Sequence, residues 1–92
     1  MSPDIFFNHQ LQKCIMHLFN QTILPPSLII GIQVKNQLVH VIAGEAMTSF
    51  STKISEDDFT EFLTSKGGKE INDAYFDKSF NIPLSAFFSE TN

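Results

Sequence analysis

The stretch LIIGIQVKNQLVHVIAG, residues 28–44, decides the fold class. Apolar residues alternate with others on both sides of Asn36-Gln37, the period of a strand with one buried face. A two-residue turn at Asn36-Gln37 sets Val34 opposite Val39, Ile32 opposite Val41 and Ile30 opposite Ala43, all on one face. Asn accepts a positive φ, although Asn-Gln is a weaker hairpin signal than Asn-Gly. The register rests mainly on the agreement of those apolar pairs. The opposite face pairs Lys35 with Leu38, Gln33 with His40 and Gly31 with Ile42. It is mixed, and so suited to partial solvation or to contact with a partner.

Working outward, Gly44-Glu45 turns the chain. MTSFSTKI, residues 47–54, then reads as a third strand, with Phe50, Thr52 and Ile54 on one parity. Upstream, Phe7, Leu11, Cys14, Ile15, Leu18 and Thr22 recur at helical spacing, which predicts a helix over 4–22. Ser2-Pro3-Asp4 supplies its start and Pro25-Pro26 its end. Phe6 and Met16 lie off the stripe, to meet a second element or stay exposed. Downstream, SEDDFTEFLTSKGG, residues 55–68, carries the signals of a capped helix over 56–66. Ser55 is placed to accept from the amide of Asp58, and Ile54 and Phe59 can form a hydrophobic staple. Glu56 and Asp57 lie where the helix dipole favours negative charge. Phe59, Phe62 and Leu63 make the apolar stripe, and Gly67-Gly68 can supply the left-handed stop.

KEINDAYFDKSF, residues 69–80, is ambiguous: Ile71, Tyr75 and Phe76 fit a helical turn, while Asn72-Asp73 fits a loop. Asn81-Ile82-Pro83 reads as a break, and LSAFFSE, residues 84–90, as a short helical tail. The expectation is a single α+β domain over 1–92. It comprises an N-terminal helix, a three-stranded antiparallel sheet, a second helix and a short C-terminal helical tail.

The α-β-β-β-α order over residues 4–66 resembles the double-stranded-RNA-binding domain in topology. That family places a lysine-rich helix start against phosphates. The matching position here is SEDDFTEF, residues 55–62, of opposite sign, so the resemblance implies the fold and not the RNA binding.

Composition narrows the function further. At 92 residues the core is thin, which favours self-association, so a homodimer is expected as one option. Phe occurs ten times and Trp not at all, so Phe must build both the core and any sticky patch. The single cysteine, Cys14, excludes an internal disulfide framework and suits a reducing, cytoplasmic setting. No secretory leader or membrane-spanning run is expected from the pattern. The net charge is −4, divided as +1 over residues 1–44 and −5 over 45–92. With no arginine among its basic residues, the chain is a poor match to nucleic acid.

Candidate chemistry is sparse. His9, Lys13 and His17 form a row on the first helix, with the histidines about 12 Å apart at 1.5 Å per residue, too far for one ion. Cys14 and His17 lack the further ligands of a zinc site. His40 could act as a base if Ser49, Ser51 or Glu45 approached from the third strand. The acidic residues 56–61 match no calcium loop, and Gly67-Gly68 follows a helix, unlike a phosphate loop. No catalytic, cofactor or metal residue is therefore assigned. The expected function is a small acidic non-enzymatic protein-binding module: an inhibitor, immunity protein, secretion chaperone or adaptor. Glu56, Asp57, Glu61, Phe87 and Phe88 are its candidate contacts, and its partner is a protein with a basic surface. The alternatives are a small enzyme or ligand-binding subunit using His40, and a structural oligomer subunit.

Overall fold

The computed structural model describes residues 3–88. Its elements run α1 (Pro3–Phe19), β1 (Ile29–Lys35), β2 (Leu38–Ala43), β3 (Ala46–Ser51), α2 (Glu56–Ser65), β4 (Lys69–Glu70), β5 (Lys78–Pro83) and a single 3-10 turn, Leu84–Phe87. The strands form one antiparallel sheet in the order β3-β2-β1-β5-β4.

The central hairpin has the register that its alternation dictates. Ile32 pairs with Val41 and Val34 with Val39. Asn36 and Gln37 have φ of 51° and 67°, the two positive values of a turn whose twist matches the flanking strands. Gly44, at φ 64°, turns the chain from β2 into β3. On the inner face Ile30, Ile32, Val34, Val39, Val41 and Ala43 are buried.

Both helices cover that inner face. Phe7, Leu11, Ile15 and Leu18 of α1 are buried, and Phe59 and Leu63 of α2 meet them. Phe7 lies 5.8 Å from the ring of Phe50, 5.4 Å from Phe59 and 5.4 Å from Phe62, joining α1 to β3 and α2. Phe59 in turn stands edge-on to Phe80 of β5 at 5.7 Å. Such aromatic pairs add to the burial of area through their edge-to-face geometry.

The expected helix over 4–22 ends earlier, at Phe19. Leu24 is drawn into the core, which takes the chain out of the helix before the prolines and leaves Thr22 exposed. Phe6 and Met16 remain exposed. The second helix is built as its caps require. The Ser55 hydroxyl accepts from the Asp58 amide at 3.1 Å. At the other end the Gly68 amide donates to the Leu63 carbonyl and the Gly67 amide to that of Thr64. Gly67 has φ 91°, and the whole is a Schellman stop.

The three-stranded sheet is corrected to five strands. Residues 78–83 are not a break but β5, which pairs along the length of β1 and presents Phe80 and Ile82 to the core. Pro83 is tolerated because it ends the strand. Its missing N–H would point past the start of β4 at Lys69, where no ladder exists to lose. Between β4 and β5 the chain makes a loop instead of a helical turn. Asp73 anchors it: its carboxylate accepts from the Tyr75 amide at 2.9 Å. The helical tail is one 3-10 turn that Phe88 leaves in an extended conformation, and residues 89–90 of the expected 84–90 segment lie outside the described residues.

Two stability changes follow. Gln37→Gly removes the steric cost of a left-handed non-glycine residue and raises stability in urea titration by about 1 kcal/mol. Phe80→Ala leaves a cavity at the junction of α2 and β5 and lowers it by about 3–5 kcal/mol.

Candidate functional site

The outer face of the sheet is left uncovered by α1 and α2, which both pack on the other side. Its side chains fall into rows because opposed residues in antiparallel strands share a face. One row is polar and crosses the sheet: Ser79 of β5, Gln33 of β1, His40 of β2 and Ser49 of β3. Gln33 Nε2 donates to Ser79 Oγ at 3.1 Å, and His40 Nδ1 shares a hydrogen bond with Ser49 Oγ at 2.8 Å. The next row runs from Lys69 and Asn81 to Gly31, Ile42 and Met47 and is apolar only at the β2–β3 end, with Ile29 diagonal to it. Met47 is 59% exposed and Ile29 55%.

The loop between β4 and β5 bends over one end of this face. Phe76 stands edge-on to the His40 ring at 5.8 Å and to Tyr75 at 4.9 Å. The Lys35 ammonium donates to the Tyr75 carbonyl at 2.9 Å and lies 4.6 Å from the centre of the Tyr75 ring. Asp77 accepts from the Asn36 amide at 2.9 Å, tying the loop to the hairpin tip. Ser79 is thereby buried, and His40 is half-buried while Ser49 is exposed.

Of the partners considered for His40, the structure thus brings up Ser49. A serine hydroxyl bonded to an imidazole is the first element of a nucleophile–base pair. Among the described residues no carboxylate bonds the other ring nitrogen. Among the clefts of the described residues are two of about 550 and 610 Å³, the second bordered by Phe76 and Ser79. One runs between the end of α1 and the β2–β3 turn, lined by Leu24, Leu28, Ala43 and Glu45. The other is formed by the β4–β5 loop. His40 lines neither.

The residues singled out for partner contact are spread over the helical side. Glu56, Asp57 and Glu61 are exposed on α2. Phe87 is taken into the core, with the Lys66 ammonium 5.7 Å from its ring centre, and presents little surface. Phe88 is 38% exposed and leans on Phe19 at 5.5 Å. On α1, His9 and Lys13 are exposed, and His17 bonds Gln21 at 2.8 Å. Among the described residues no three His, Cys, Asp or Glu side chains gather in a way that could hold a metal ion. No helix among them is long and apolar enough to cross a membrane.

Comparison with known proteins found no family model, no curated protein and no solved structure that matches this chain.

Cys14 is half-buried beside the core. Burial pushes its thiol above the usual range, and the nearby Lys13 charge offsets this only in part. A raised value means less thiolate at neutral pH. Alkylation of folded protein by iodoacetamide at pH 7 is therefore expected to run several-fold slower than in urea.

Proposed function

We propose that this chain is a small acidic protein-binding module, of the inhibitor, immunity-protein, secretion-chaperone or adaptor kind, acting by contact with another protein. The observation that carries the reading is the open outer face of the sheet. The exposed Ile29 and Met47 and the partly exposed Ile42 lie on that face, and neither α1 nor α2 packs over them. Contiguous exposed apolar area on a small domain is a common mark of an association surface. The exposed carboxylates of Glu56, Asp57 and Glu61 give the helical side a negative field that speeds encounter with a basic partner. Phe88 adds a partly exposed ring on that side.

Two sets of variants separate these contributions. Ile29→Glu puts a charge on that face and is expected to weaken capture of the partner from native lysate at least tenfold, with an unchanged circular dichroism spectrum. Reversal of Glu56, Asp57 and Glu61 to Lys is expected to slow association and flatten its salt dependence. Undiminished capture by Ile29→Glu would remove the sheet face from the interface.

A second reading rests on the 2.8 Å contact between His40 and Ser49. In it the chain is a small enzyme or ligand-binding subunit, with Ser49 as nucleophile and His40 as its base. A serine-directed fluorophosphonate would then label Ser49 in the native protein but not in His40→Ala. A native protein that stays unlabelled would end this reading.

A further inference from the structure

We propose that the free edge of β3 pairs with the same edge of a second copy of this chain, antiparallel about a two-fold axis at Ser49. The two ends of the sheet are treated differently. At one end β4 is two residues long and charged, and Glu70 is held by Lys78 at 3.3 Å. Short, charged edges resist pairing. At the other end β3 runs for six residues, AMTSFS, with no charge and no proline.

The backbone direction along β3 is fixed by its partner. Ala43 and Ala46 flank the two-residue turn, and the Thr52 amide donates to the Gln37 carbonyl at 2.9 Å. Ala46, Thr48, Phe50 and Thr52 therefore bond inward to the hairpin, and Met47, Ser49 and Ser51 turn their N–H and C=O groups to the open side. Of these, the Ser51 carbonyl accepts from Gln10 Nε2 at 3.2 Å and keeps a second lone pair.

Such an edge recognises an extended strand, and the charges beside it select which one. Pairing Ser49 with Ser49 of a second copy sets Met47 against Ser51 and Thr48 against Phe50. Each pair lies on one side of the joined sheet, polar row continuing into polar row. Beyond the paired residues, the same register brings the β2–β3 turn with Glu45 of one copy beside the end of β3 and Lys53 of the other, at both ends. Both side chains are exposed, and among the described residues neither has a hydrogen-bond or ion-pair partner. Sliding the strands by one pair in either direction loses both charge matches. The edge is thus complementary to itself in one register, as an isologous dimer requires.

Sedimentation equilibrium of the whole chain at low salt tests this, without any other partner present. The mass is expected to rise with concentration from the 10.4 kDa monomer toward twice that value. Glu45→Lys and Lys53→Glu each turn two attractions into repulsions and are expected to weaken the dimer about tenfold. The double variant Glu45→Lys/Lys53→Glu restores the complement and is expected to return to within a few-fold of the original. Met47→Pro removes an outward N–H that the monomer does not use, and should leave a folded monomer by circular dichroism. A chain that stays monomeric throughout, or a double variant no tighter than either single one, would overturn the proposal.

Discussion

The ring of Phe7 is the contact on which the two layers depend. A sheet and two short helices can each bury only one face, and the layers hold together only where side chains from all of them interlock. Phe7 is fully buried and touches Phe50, Phe59 and Phe62, so α1, β3 and α2 meet at one side chain. Phe59 extends the chain of rings to Phe80 and hence to β5. In a sequence without Trp, Phe supplies the large flat surfaces that fix how the helices sit on the strands.

That division of labour leaves the two sheet faces chemically distinct. The inner face is aliphatic along β1 and β2 and takes in Phe50 and Phe80 from the strands beside them, and the outer one is arranged in rows of unlike character. Rows arise because the strands are in strict antiparallel register, so one polar choice per strand becomes a line of polar side chains. Ser79, Gln33, His40 and Ser49 are such a line, half sheltered by the loop that Asp73 and Asp77 hold in place. The apolar end of the line beside it remains open.

How far the fold could be read from the residues depended on how local the signals were. The hairpin announced itself because its apolar pairs agree across a turn only two residues long. The second helix did so because Ser55 and Gly67 both stand at positions with a defined backbone need. β5 offered only Phe80 and Ile82 on alternate positions, followed by a proline. What makes it a strand is β1, nearly fifty residues away in sequence, and not its own propensity. β4 is shorter still and exists by pairing with β5. The same limit applied to the outer face. His40 beside Gln33 followed from the hairpin, and Ser49 was one of several candidates the third strand could bring. Ser79 and Phe76 could not be placed without β5. Phe87 and Phe88, adjacent in sequence, were indistinguishable until the 3-10 turn sent one ring inward.

The place of β5 inside the sheet has a bearing on how the chain is made. Its position between β1 and β4 is filled by residues made nearly fifty positions after β1, so until they emerge from the ribosome β1 has an unpaired side along Ile30, Ile32 and Val34. The hairpin can form early, because its contacts are local, but the sheet cannot close until residue 83 is free. A nascent chain halted before that point presents an aliphatic strand to any neighbour that can lend one.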